Sequence, residues 1–223
     1  MKKNIFKSIL FYLICANSYS QQITIKNIES RLVTHQGIEF IGELRNVNSD
    51  KYSYSNWSNQ GVLFLDSKAY YLGNINFNVT TNAFESRVNK NQLFSYKSSL
   101  LDSVSVNNHL YKKMNDTFYE VLLENGNYLF LKKWDIAYQT GVENRLVGTV
   151  GKSNALIIFK YLVKSDDEVT LIEFNKNSIL GLVKNDFQRV LEEFVDKENL
   201  SYKRENDIVE ILKFMFNNSE KMI

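Results

Sequence analysis

Six consecutive residues, Gly148-Thr149-Val150-Gly151-Lys152-Ser153, carry the ending of a phosphate-binding loop. A Walker A loop has the form G-x-x-x-x-G-K-[ST], so that successive backbone N–H groups wrap the phosphates of a nucleotide. Its first glycine would have to stand at position 146, which is Leu146. The residues that follow, Ala155-Leu156-Ile157-Ile158-Phe159, have the character of a strand, not of the helix whose N-terminus a phosphate needs. The segment therefore reads as a glycine-bearing turn between strands, and nucleotide binding is not expected.

The two histidines are His35, beside Gln36-Gly37 in an expected turn, and His109, in the polar run Asn107-Asn108-His109. A zinc site built on protein nitrogen wants more imidazoles than this, so both histidines are expected at the surface and no metal is assigned. The nucleophile-elbow pattern G-x-S-x-G is absent. Paired acids occur at Glu192-Glu193 and Asp166-Asp167, and glycosidases do hold two carboxylates across a bond. The first pair falls on the polar face of a predicted helix and the second in a turn, where solvated charge is the ordinary reading. The acidic run from Asp196 to Asp207 lacks an EF-hand pattern, because Leu200 and Ser201 stand where a ligand and a glycine are needed. No catalytic residue and no cofactor is assigned.

Tyr52, Tyr54 and Trp57 lie together in a polar loop. Aromatics in such a setting can stack on sugars or anchor a protein interface, so these three are the candidate binding residues. The competing reading is that they tuck under their own loop.

The elements that must hold these residues are legible from period and punctuation. Proline is absent from all 223 residues, so turns must come from Gly, Asn, Asp and Ser. Asn125-Gly126 tolerates the positive φ angles of a type I′ turn and joins Phe118–Leu123 to Tyr128–Leu131 as a β-hairpin. In Asn74-Ile75-Asn76-Phe77-Asn78-Val79 apolar residues alternate with asparagines, predicting a strand with one face in a core and its asparagines in water. Further strands are expected at Ile23–Ile28, Ile38–Leu44, Val62–Leu65, Leu93–Tyr96, Leu156–Val163 and Val169–Phe174. Phe187, Val190, Leu191, Phe194 and Val195 then recur at helical spacing, with Asn185 as the expected cap and Gln188 completing a capping box. A second stripe runs through Ile208, Ile211, Leu212 and Met215, flanked by Val209 and Phe216. The polar stretch Asn46–Gln60 is expected to be a mobile loop or an internal boundary.

The fold class that follows is α+β, an antiparallel β-sheet body followed by a C-terminal pair of amphipathic helices. Residues 1–20 are expected to be a signal peptide, 21–59 N-terminal strands and the polar loop, 60–176 the β body, and 177–223 the helical segment. Lys2, Lys3 and Lys7 precede an apolar run from Ile9 to Ala16, and Ser18 and Ser20 suit a signal-peptidase site that leaves Gln21 first. That run is too short to span a bilayer, and no transmembrane segment is expected after signal removal. Tyr12, Leu13 and Ile14 before Cys15 do not suit lipidation. Loss of residues 1–20 removes the only cysteine and three of the 27 basic residues, leaving 24 against 25 acidic, a formal charge of −1. Such a chain has no basic footprint for nucleic acid, and its core must stabilise it without disulfides.

With these features in place, the chain resembles a group of uncharacterised exported proteins of Bacteroidota. The likeness rests on the leader, Tyr71-Leu72-Gly73-Asn74-Ile75-Asn76-Phe77-Asn78, the hairpin from Phe118-Tyr119-Glu120-Val121-Leu122 to Leu131-Lys132-Lys133, and the terminal helices. It covers roughly residues 60 to 217 and implies an envelope address, periplasmic or secreted, with no catalytic residues to carry over. Asp102-Ser103-Val104 also resembles the short O-glycosylation signal of that phylum. The expectation is a non-catalytic envelope protein that binds an envelope protein or glycan. The alternative is a cell-wall or polysaccharide hydrolase using an unidentified carboxylate pair.

Overall fold

A computed structural model describes residues 30–33, 39–139, 143–144, 149–150, 154–166, 168–218, 220 and 222. Residues 1–20, expected to be a leader, the strand expected over Ile23–Ile28, His35 and most of the Gly148–Ser153 turn lie outside the described residues.

The chain is α+β. One antiparallel sheet contains β1 (Ser30–Val33), β2 (Glu39–Asn46), β5 (Ile75–Asn78), β6 (Ala83–Arg87) and β7 (Gln92–Tyr96), in the order β1-β2-β7-β6-β5. The other contains β3 (Gln60–Leu65), β4 (Lys68–Gly73), β8 (Ser103–Val106), β9 (His109–Met114), β10 (Thr117–Asn125), β11 (Tyr128–Gln139), β14 (Asn154–Ser165) and β15 (Glu168–Ile172). Its order is β15-β14-β11-β10-β9-β8-β3-β4. A short ribbon pairs β12 (Glu143–Asn144) with β13 (Thr149–Val150), so two residues of the glycine-bearing turn are strand. The helices α1 (Lys176–Leu180), α2 (Asn185–Lys197) and α3 (Glu205–Asn217) close the chain.

Two-residue turns build most of the larger sheet. Asp66-Ser67, Asn107-Asn108 and Asn115-Asp116 all have positive φ at both residues, the backbone of a type I′ turn. Their short polar side chains visit the left-handed region at the lowest cost after glycine. The β10–β11 hairpin is where the sequence placed it, but its register is one residue later: Asn125 pairs with Tyr128, so Gly126-Asn127 is the loop. Of those two only Gly126 has positive φ, at +57°, whereas type I′ needs both.

The two cores lie on one face of the eight-stranded sheet. Phe130, Lys132, Trp134 and Ile136 share a face of β11 by the period of two. Phe130 packs with α2 and α3 residues Leu191, Val195, Ile208, Ile211 and Leu212. Trp134 and Ile136 pack instead with Phe77, Phe84, Phe94, Val104, Tyr111 and Phe118, the core between the two sheets. The small sheet thus covers one end of the large one and the helices cover the other.

Both helical stripes were legible, with Val190 the exception at 44% exposed. The cap is corrected by one residue: Asn185 opens α2 from inside, Lys184 is the N-cap, and Gln188 Nε2 donates to Asn185 Oδ1 (3.3 Å) and Leu180 O (3.2 Å). A side-chain cap forms instead at α1, where Asn175 Oδ1 accepts from Ser178 N at 2.8 Å.

The larger correction concerns β5. Ile75 and Phe77 enter the core as expected, but Asn76 and Asn78 are also fully buried, not solvated. The loop 47–59 lies across them. Val79 N donates to Lys51 O (2.8 Å) and Ser53 N to Phe77 O (3.0 Å), so the stretch expected to be mobile is bonded along the outer edge of β5.

Candidate functional site

Asn76 and Asn78 organise the loop from below. Asn76 Nδ2 donates to the carbonyls of Tyr54 (2.8 Å) and Asn56 (3.1 Å), while its Oδ1 accepts from Tyr54 N (3.2 Å) and Phe77 N (2.9 Å). Asn78 Nδ2 donates to Asp50 Oδ2 (2.7 Å) and Glu85 Oε1 (3.0 Å), and its Oδ1 accepts from Thr81 N (3.1 Å). A buried amide is tolerated when its donors and acceptors are met, as here.

Glu85 has no exposed surface, and a carboxylate in that position must be paired. Arg45 supplies the pairing from β2, donating through Nε (2.9 Å) and Nη2 to Oε1, and through Nη2 to Asp50 as well. Tyr52 OH donates to Glu85 Oε2 at 2.8 Å. Burial and then this hydrogen bond push the Tyr52 hydroxyl well above its ordinary range, so it stays a neutral donor.

The three aromatics singled out in the sequence have different roles. Tyr52 is bound to the acid network. Tyr54 OH lies 3.1 Å from both Val106 O and Tyr111 OH, fastening the loop to the large sheet, and burial pushes its pKa up to about 12. Trp57 is half-buried, edge-on to Tyr52 with ring centroids 4.9 Å apart. The Arg87 guanidinium stands 5.8 Å from its ring, within cation–π range. Of the three, Trp57 is the one held by a neighbouring ring and a guanidinium and not by a hydroxyl hydrogen bond.

A second polar group was not visible in sequence. Glu120, 3% exposed on β10, meets His109 Nδ1 at 2.6 Å and accepts from Trp134 Nε1 at 2.8 Å. Beside it, Tyr161 OH donates to Glu205 Oε2 (2.6 Å) and Lys132 Nζ pairs with the same carboxylate (2.9 Å), joining β11 and β14 to α3. His109, expected at the surface, is half-exposed and tethered to Glu120. Trp134 is partly buried at the edge of the core between the sheets. The only signal for this group was period two: His109 and Tyr111 alternate on β9, and Phe118 and Glu120 on β10.

Of the acid pairs, Glu192-Glu193 lies on the surface of α2, and Asp167 of the other lies outside the described residues. Glu192 pairs with Lys176 and Glu193 with Arg189, and Asp166 sits in the β14–β15 turn, accepting from Asn127 Nδ2 at 2.8 Å. Among the described residues no three His, Cys, Asp or Glu side chains gather to hold a metal. No described helix is long and apolar enough to cross a membrane. Ser103, of the glycosylation-like tripeptide, is within β8, paired with Phe64 on one side and Lys112 on the other.

Comparison with known proteins gives no relatives: no family model, no curated protein and no solved structure matches the chain.

Proposed function

We propose that this is an exported protein of the cell envelope that works by binding, without catalysis, and that the loop carrying Tyr52, Tyr54 and Trp57 makes the contact. The observation that carries the reading is the mounting of Trp57. Its indole rests against Tyr52 and Arg87 on a loop whose backbone is bonded to Asn76 and the edge of β5. An aromatic held in place before binding loses little entropy on association, which is how anchor residues at interfaces gain strength. An indole with a guanidinium beside it suits the face of a sugar ring or an apolar pocket rimmed by acid on a partner protein. The leader and the resemblance to exported Bacteroidota proteins support the address.

The test is co-purification from the native envelope with a tag after Ile223, read by mass spectrometry and by glycan analysis. A reproducible partner lost on Trp57→Ala, with circular dichroism unchanged, is expected. Turnover in a broad hydrolase screen, or a partner indifferent to Trp57→Ala, would overturn the reading.

A further inference from the structure

Seven residues of β14 have one edge without a partner among the described residues. The strand runs for twelve residues, Asn154–Ser165, and pairs along its whole length with β11, from Gln139↔Asn154 to Tyr128↔Ser165. On its other side β15 covers only Tyr161 to Ser165. Nothing among the described residues pairs with the stretch Asn154 to Lys160 on that side. Alternate residues of an unpaired strand aim both N–H and C=O outward, so this stretch is a template for another strand.

The edges at β5 and β15 carry devices that blunt pairing, and this one does not. The edge of β5 is covered by Lys51–Ser53. β15 is short and begins with Glu168. The free part of β14 reads Asn-Ala-Leu-Ile-Ile-Phe-Lys: no proline, one charge at its end, and Leu156, Ile158 and Phe159 exposed by 50%, 36% and 42%. Where β15 ends, a shallow cavity of about 360 Å³ opens between Phe159, Tyr161, Ile172 and Phe174.

We infer that this edge pairs antiparallel with the same edge of a second copy of the chain, joining two eight-stranded sheets into one. The length selects the register. The stretch is bounded by the start of β14 at Asn154 and by β15 at Tyr161, so a two-fold pairing that uses all of it must centre on Ile157. In that register Ile157 faces itself, Ile158 faces Leu156, Phe159 faces Ala155 and Lys160 faces Asn154. Apolar then meets apolar on both faces, the large Phe159 falls opposite the small Ala155, and no like charges meet, as an isologous interface requires. The Lys160 amines lie at opposite ends of the paired stretch, each already bonded to Asp135 of its own β11 at 2.7 Å.

Cysteine cross-linking in the full chain, in a Cys15→Ser background, reads the register directly. A residue on the two-fold axis sits about 4.5–5.5 Å from its own copy, Cα to Cα, within disulfide reach. Ile157→Cys is therefore expected to form a covalent dimer on mild oxidation. Phe159→Cys alone should form no disulfide-linked dimer, and should cross-link when mixed with Ala155→Cys. Light scattering at tens of micromolar should give a dimer for the parent chain. Leu156→Lys/Ile158→Lys, which sets lysines opposite lysines on an exposed face, should give a folded monomer. Mixing that variant with Leu156→Glu/Ile158→Glu should restore the dimer mass. A monomeric parent, which would leave the edge to an extended segment of some other protein, overturns the inference. So does a dimer in which Ile157→Cys cross-links no better than Phe159→Cys.

Discussion

Arg45 and Glu85, forty residues apart in sequence, meet as a forked ion pair under the loop, with Nε and Nη2 of the arginine both donating to Oε1. Because Glu85 has no exposed surface, the arginine can be removed only by leaving a buried carboxylate short of donors. Arg45→Met is expected to cost about 2–4 kcal/mol in urea unfolding, the lower part of the range for a broken buried pair, since Tyr52 and Asn78 still donate. Arg45→Met/Glu85→Leu should recover part of that loss. A double variant that loses the full sum of the two singles would mean the residues do not act as a pair.

Asn76 tests the loop from the other side. Asn76→Leu keeps the approximate volume and strands the Tyr54 N–H and carbonyl, at about 1–3 kcal/mol for each group left buried and unmet, while the Asn56 carbonyl still accepts from Asn59 Nδ2 at 2.8 Å. Amide exchange at Tyr54 should quicken in this variant, while exchange across β14 should be unchanged. Equal acceleration everywhere would point to global destabilisation, not to a loosened loop.

The glycines give a contrast that needs no electrostatics. A Cβ on Gly42 would stand 2.1 Å from the Ser95 carbonyl oxygen, backbone of the paired strand β7. One on Gly73 would meet nothing within 4 Å. Gly42→Ala should therefore lower the urea midpoint strongly, by about 2 kcal/mol or more of stability, and Gly73→Ala by less than about 1 kcal/mol. Similar midpoints for the two would contradict the β2–β7 register.

Burial pushes the hydroxyls of Tyr54 and Tyr96 up to about 12, from about 10 in an unfolded chain. The folded state thus holds these protons more tightly, so their contribution is complete below about pH 10 and is lost as the pH climbs toward about 12. Urea midpoints measured from pH 8 to 11 should fall at the alkaline end, and Tyr54→Phe/Tyr96→Phe should flatten the fall. An unchanged slope in that variant would place the effect elsewhere.

Elements with a local signal were legible. The helices announce themselves by stripes such as Ile208, Ile211, Leu212 and Met215, and the β10–β11 hairpin by its glycine. Strands β4, β8 and β9 went unread because their turns are Asp-Ser, Asn-Asn and Asn-Asp, pairs that reach the left-handed region without glycine and so punctuate weakly. The burial of Asn76 and Asn78 could not be read locally at all, since alternation fixes which residues share a face but not what lies over it. Here the cover comes from residues more than twenty positions earlier. Glu120, His109 and Trp134 come from three separate strands, so their meeting depends on register across β9, β10 and β11. Tyr52 and Tyr54 end in hydrogen bonds within the molecule, and Trp57, partly buried as they are, is held by ring and cation contacts.

The run of two-residue turns sets an order of assembly in time. From Ser103 to Tyr128 each strand needs to close only a two-residue loop to find its neighbour, at little entropic cost. The Gly42↔Tyr96 pairing instead closes more than fifty residues of chain. Contacts of high sequence separation slow folding, so the hypothesis is a meander β8-β9-β10-β11 that condenses first and a small sheet that docks on it late. Substitutions in the meander would then slow folding, whereas those in β2 and β7 would act on unfolding alone. High φ-values confined to β2 and β7 would reverse that order.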